Sequence, residues 1–172
     1  MHDRGLFWTP APAQGQAQFS ARDVTVRVVS GLSQNLLSGP RHPGGAKLPG
    51  LQSPVGFSGI AFGPTYAVAI ASDRSLIVSQ GEAPLSEGWD ATSATAATNM
   101  DDAFLVLDLQ GPGLNDLVSK ATTLDVSDAS PSASLLFAGF PCLAYRYERP
   151  DALRLHIESP LASALGAWLR LA

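Results

Sequence analysis

With a single cysteine, Cys142, among its 172 residues, the chain can form no intramolecular disulfide, which fits a reducing compartment. Lysine is nearly absent too: Lys47 and Lys120 are the only two, the nine arginines are scattered, and net charge is −4. Nucleic-acid binding needs a concentrated basic footprint, so that class of function is excluded. Charged residues make up 15%, against about 25% in ordinary soluble domains. A surface this short of charge suits either a Ser/Thr/Ala-rich monomer or a chain partly covered by a partner. No stretch approaches the ~18 apolar residues of a membrane span. The start, Met1 to Trp8, lacks the apolar core of a signal peptide, so the cytoplasm is the expected location.

Present instead is an ordinary apolar content of 45% on a length suited to one domain. Residues 1–21, with Pro10, Pro12 and several glutamines and alanines, read as an N-terminal arm. Phe7 and Trp8 in that arm suggest docking on this chain or on another. Residues 22–172 read as the domain. Val24, Val26 and Val28 alternate with Thr25 and Arg27, as in a half-buried strand. Residues 30–64 are broken by Gly39-Pro40, Pro43-Gly44-Gly45, Pro49-Gly50 and Gly63-Pro64, and read as a long irregular loop. Two strands follow, Tyr66–Ile70 and Ser75–Val78, around a turn at 72–74. Residues 85–98 are ambiguous, because alanines favour a helix while threonines favour a strand.

The densest signal spans residues 105–118. A strand at 103–109 has Leu105, Leu107 and Leu109 on one face and Phe104, Val106 and Asp108 on the other, the pattern of a central strand. Gly111-Pro112-Gly113 then turns the chain, with Pro112 expected at the first position of a helix. Leu114, Leu117, Val118 and Ala121 supply that helix's buried stripe. After a Ser/Asp/Pro linker at 127–132 come strands at 135–137, 141–147 and 152–158. In the last of these Leu153, Leu155 and Ile157 alternate with Arg154, His156 and Glu158. A final helix is expected with Ser159 as cap, Pro160 as first residue, and Leu161, Leu165, Trp168 and Leu169 facing the core.

Chemical motifs are sparse. His2, His42 and His156 lie far apart, with no second cysteine to complete a metal set, and His156 is expected at the surface. Gly56-Phe57-Ser58-Gly59 misses the nucleophile-elbow spacing by one residue. Cys142 reads as a buried structural thiol. Gly111-Pro112-Gly113 is half of a dinucleotide fingerprint, but Asp116 stands where its third glycine belongs and would repel a pyrophosphate. The glycine- and cation-bearing loop 39–47 lacks the Gly-Lys-Ser/Thr ending of a phosphate loop. Asp101 and Asp102 read as turn residues. Asp108, on a mostly apolar strand, requires an ion-pair partner or solvent. No residue stands out as catalytic, cofactor-binding or metal-ligating.

From residue 66 onward the order of pieces resembles the gamma subunit of heterotetrameric sarcosine oxidase. Those pieces are Ala69-Ile70 with Asp73 to Val78, Leu109-Gln110-Gly111-Pro112 with its helix, Leu124-Asp125-Val126, Leu135 to Pro141, and Leu153 to Ile157 with the Trp168-Leu169 helix. Residues 1–65 add little to it. The resemblance implies an α+β fold like the folate-binding domain of aminomethyltransferases: a mixed, mainly antiparallel sheet packed with helices. It also implies a non-catalytic subunit of a flavin-dependent oxidase or dehydrogenase of N-methylated amino acids, partnered with a large alpha subunit and others. FAD, FMN, NAD and tetrahydrofolate would be bound by those partners and not by this chain. The alternative is a free-standing folate-binding protein or small one-carbon transferase, with Asp108 or Asp101 facing the pterin.

Overall fold

The computed structural model describes residues 18–40, 51–125 and 130–172. Its strands are β1 (Gln18–Ala21), β2 (Val24–Val29), β3 (Leu32–Ser38), β4 (Ile60–Ala61), β5 (Thr65–Ala71), β6 (Arg74–Gln80), β7 (Gly88–Asp90), β8 (Thr95–Asn99), β9 (Phe104–Gln110), β10 (Ser134–Phe137), β11 (Phe140–Tyr147) and β12 (Ala152–Glu158). Two α-helices, α1 (Leu114–Ala121) and α2 (Ala162–Leu171), and a 3-10 turn at Ser159–Leu161 complete the described elements. The strands form two sheets. The first runs β1-β2-β9-β12-β11-β10, with β4 added in parallel on β11; the second runs β5-β6-β3-β8-β7. All other pairings between these strands are antiparallel. The expected mixture of mainly antiparallel sheet and helices is therefore present, divided between two sheets.

Strand alternation sorts the core into layers. Val26, Leu109 and Leu153 lie in register across β2, β9 and β12, as do Leu107 and Leu155. These residues pack beneath α1 and α2, which contribute Leu114, Leu117, Val118, Leu165 and Leu169. The opposite face of the first sheet meets the second sheet through Leu143 and Tyr145 against Tyr66, Val68, Leu76 and Val78. A smaller cluster of Leu37, Ala67 and Ile77 lies on the far side of the second sheet. Tight hairpins set the register. Arg22-Asp23 joins β1 to β2 and Ala138-Gly139 joins β10 to β11, each pair with positive φ.

The Gly-Pro-Gly corner is shaped by packing. Gly111 has φ +138, and a Cβ there would lie 2.1 Å from the Asp23 carbonyl oxygen. One on Gly113 would lie 2.4 Å from the Arg22 carbonyl oxygen. Both glycines are needed because the β1–β2 turn presses against this corner. The helix starts two residues later than Pro112 suggested, with Gly113 as its cap and Pro112 in the turn.

Four other expectations need correction. The stretch 30–64 is not irregular throughout, because β3 lies between β6 and β8 in the second sheet. Its apolar alternation is hidden because Ser33, Gln34 and Asn35 are polar yet buried. Residues 85–98 resolve as the β7–β8 hairpin. The end of the expected arm, Gln18–Ala21, is a strand; residues 1–17, including Phe7 and Trp8, lie outside the described residues. Ser159 does not cap α2. It opens a 3-10 turn, Ser159–Leu161, and its hydroxyl donates to the Asp102 carbonyl.

Candidate functional site

The layer between the sheets holds the densest chemistry among the described residues. Tyr145, Arg154, Asp108 and Arg27 occupy one row across β11, β12, β9 and β2, because each is the register partner of the next. Arg154 grips Asp108 side-on: Nε donates to Oδ1 at 2.7 Å and Nη2 to Oδ2 at 2.9 Å. Arg27, from the exposed side, adds a bond to Oδ2 at 3.1 Å. Asp108 thus satisfies the requirement for an ion-pair partner twice over. The Tyr147 ring covers the guanidinium, with Arg154 Cζ 3.7 Å from its centroid.

His156 is fully buried, contrary to the surface position expected of it. Its strand face looked polar because it points at the second sheet, and Gln34 of that sheet together with Tyr145 of the neighbouring β11 supplies the hydrogen bonds that water would otherwise provide. One set of proton positions satisfies every contact. Arg154 Nη1 donates to the Tyr66 hydroxyl at 2.8 Å, and Tyr66 donates to the Tyr145 hydroxyl at 2.9 Å. Tyr145 donates to His156 Nε2 at 2.8 Å, and His156 Nδ1–H donates to Gln34 Oε1 at 2.7 Å. Gln34 Nε2 closes the chain on the Phe104 carbonyl at 3.3 Å. The direction is forced at both ends, since a guanidinium can only donate and a carbonyl can only accept.

The electrostatics agree. Burial, reinforced by the Arg154 charge, lowers the His156 pKa to about 3, so the ring is neutral. A second ring proton would also reverse the Tyr145 bond and leave a hydroxyl proton without an acceptor. Burial raises both tyrosines, Tyr145 well above its ordinary value, against the opposing pull of Arg154. Burial pulls Arg154 down, but Asp108 and the two phenols outweigh it and its pKa is raised. Every partner in the chain is therefore held in one protonation state near neutral pH.

A cavity of about 270 Å³ opens beside this network, lined by Arg27, Gln80, Asp108, Tyr147, Arg149 and Arg154 among others. A shallower one of about 740 Å³ adjoins it at the glycine corner, sharing Gln110 and Arg149. The remaining sequence candidates are scattered. Asp101 lies in the expected turn and from there holds β3, accepting from the Gln34 backbone N–H at 2.5 Å and from Ser33 Oγ at 3.3 Å. Cys142 lies in the helix-covered core, where burial, with the nearby Glu158 charge, pushes its thiol up to about 12. Gly56 is pinned under Ser130, whose carbonyl oxygen is 1.8 Å from a Cβ built there. His2, His42 and most of the loop 39–47 lie outside the described residues. Among the described residues no three His, Cys, Asp or Glu side chains converge as a metal set, and no helix is long and apolar enough to cross a membrane.

Sequence reasoning missed Gln34, Tyr66 and Tyr145. Their signal was present as alternation, since Tyr145 and Tyr147 share a strand face as do Arg154 and His156. Linking them required the pairing of the two sheets, which no local pattern carries.

No family model and no curated protein matches the chain. Among solved structures, a chain of the heterotetrameric sarcosine oxidase from Corynebacterium sp. U-96, in complex with pyrrole 2-carboxylate, is similar at a TM-score of 0.64 and 18% identity. The match covers 88% of this chain and 84% of that chain. At this identity the likeness is one of fold.

Proposed function

We propose that this chain is a gamma-like, non-catalytic subunit of a heteromeric flavin-dependent sarcosine oxidase, or of a related oxidase or dehydrogenase of N-methylated amino acids. The observation that carries this reading is the two-way coverage of the fold match, 88% and 84%. Coverage high in both directions means that the likeness spans most of both chains, which supports reading this chain as the counterpart of a subunit of such an assembly. In this reading the fold is that of the aminomethyltransferase folate-binding domain, used as a scaffold in the cytoplasm. FAD, FMN, NAD and tetrahydrofolate are bound by the larger partners, which pass the oxidised methyl carbon to folate.

The inter-sheet network supports a scaffold role. Asp108 spends both carboxylate oxygens on arginines, and His156 spends both ring nitrogens on Tyr145 and Gln34. A free-standing folate binder would need a carboxylate open to the pterin, and Asp108 offers none without breaking its pair with Arg154. The deciding experiment is purification of the tagged full-length chain from its native cell, with mass spectrometry and a visible spectrum. A yellow complex with larger flavoprotein chains is expected. A colourless chain that purifies alone and titrates with tetrahydrofolate would overturn the proposal in favour of the alternative.

A further inference from the structure

We propose that the free end of the second sheet, the β7–β8 hairpin, is the surface on which a basic segment of the larger partner subunit docks. This rests on the subunit reading above and adds the location and chemistry of the contact. Four observations carry it. Among the described residues β7 is the terminal strand of its sheet, three residues long and exposed throughout, so one side of its backbone has no neighbouring strand there. Trp89 in the middle of that strand is 66% exposed, and an indole left in water is an anchor waiting for a contact. Beside it lies a groove of about 420 Å³, floored by Leu37 and Leu85 and carrying Glu87 and Asp90, with no Lys or Arg in its lining. Residues 75–119 contain no Lys or Arg at all, so this part of the chain offers its acids no nearby counter-charge in sequence.

The occupant follows from that charge. Asp90 stays ionised, because Ser93 Oγ and the Thr92 N–H donate to its carboxylate and lower its pKa. An extended segment carrying arginine or lysine would pair its cations with Glu87 and Asp90, and an arginine would also stack on Trp89. The groove between Leu124 and Leu136 is the nearest rival, but its lining holds no comparable charge imbalance and Lys120 there is already paired with Asp116.

The test uses the full-length chain in its native complex. Trp89→Ala and Glu87→Lys are compared with Leu136→Ala as a control of similar exposure, with circular dichroism to check folding. The expected result has three parts. Retained flavoprotein falls at least about tenfold for each hairpin variant and not for the control. A zero-length carbodiimide reagent joins Glu87 or Asp90 to a partner lysine. Trp89 is protected from hydroxyl-radical oxidation only in the complex. If the flavoprotein co-purifies undiminished with both variants and Trp89 stays as reactive as in the free chain, the docking surface is wrong while the subunit reading stands. If sedimentation shows Trp89 protected by self-association, the basic partner is wrong. If no flavoprotein co-purifies with the wild type, both readings fall. Should Trp89→Ala fail to fold, Glu87→Lys alone carries the mutational arm.

Discussion

The two faces of the first sheet are built from the same strands, but only one of them carries a polar network within its apolar packing. β12 sends Leu153, Leu155 and Ile157 into the helix-covered layer and Arg154 and His156 into the layer between the sheets. Both layers exclude water. One does so with apolar side chains that need only to fill space; the other sets a directional chain of donors and acceptors, which must be complete, among Leu143, Val68, Leu76 and Val78. The difference predicts different responses to damage. An aliphatic layer loses what is removed, whereas a polar layer also loses by what is left behind.

The largest expected effect is therefore in the polar layer. Arg154→Met strips Asp108 of its bidentate partner and Tyr66 of its donor, and should cost about 3–5 kcal/mol in denaturant unfolding. Leu155→Ala, in the aliphatic layer on the same strand, should cost about 3 kcal/mol. The contrast is sharpened by a second change. Adding Asp108→Leu to Arg154→Met should restore part of the loss, because an unpaired charge has gone. No partner substitution of comparable size should rescue Leu155→Ala without refilling its volume. If Arg154→Met costs less than about 1 kcal/mol, the network does not hold the sheets together.

The second effect is a pH dependence that the aliphatic layer lacks. His156 has a folded pKa of about 3 against an ordinary 6.5, so between those values the unfolded chain binds a proton that the folded chain refuses. Stability is thus fully present above pH 6.5 and falls as pH drops through that window, with a slope approaching about 1.4 kcal/mol per pH unit. Unfolding measured between pH 6.5 and 5, above the range in which carboxylates titrate, should show this slope. His156→Leu should remove most of it whatever its effect on absolute stability. An unchanged slope in that variant would mean that His156 is charged or exposed.

A third test lies on β3, where neighbours Gln34 and Asn35 face opposite ways. Gln34 is bonded to His156 and Phe104. Asn35 is as deeply buried on the other face, yet among the described residues its Oδ1 and Nδ2 have no hydrogen-bond partner. Removing a polar group that has no bond to lose should help, so Asn35→Leu is expected to stabilise by about 1 kcal/mol. Gln34→Leu should destabilise by a similar or larger amount, because it orphans His156. Thermal midpoints that move in the same direction for both would break the comparison.

What the sequence revealed follows from the same division. The aliphatic layer was legible, because Leu105-Leu107-Leu109, Leu153-Leu155-Ile157 and the stripe Leu114-Leu117-Val118-Ala121 write their burial in period and type. The polar layer was not. Arg154 and His156 alternate with leucines, which is the signature of a solvent-facing strand side, and only the second sheet turns that side inward. β3 was hidden for a related reason, since buried Ser33, Gln34 and Asn35 erase the apolar period. Asp108 was the exception. A lone carboxylate on an otherwise apolar strand signals a partner even when the partner, 46 residues away, cannot be named. The glycine corner was legible as a turn but not in its cause, because the Asp23 carbonyl that forbids a side chain on Gly111 comes from a distant hairpin.

The smallest expected effect separates the two arginines that share Asp108. Arg27 and Arg154 both bond its carboxylate, yet the Arg27 side chain is 61% exposed and that of Arg154 only 3%. An exposed guanidinium keeps most of its hydration, and water screens its attraction. Removing it also leaves Asp108 still gripped by Arg154. Arg27→Ala should therefore cost no more than about 1 kcal/mol, and that cost should shrink in about 0.5 M salt, where the screening length is only a few ångströms. The loss from Arg154→Met should persist at the same salt, because the Arg154 side chain itself is closed to solvent and ions. Unfolding curves of the two variants at low and high salt make this comparison directly. If Arg27→Ala costs as much as Arg154→Met, or resists salt equally, then the outer end of the row is as closed as the inner one and the cavity beside it is not an opening to solvent.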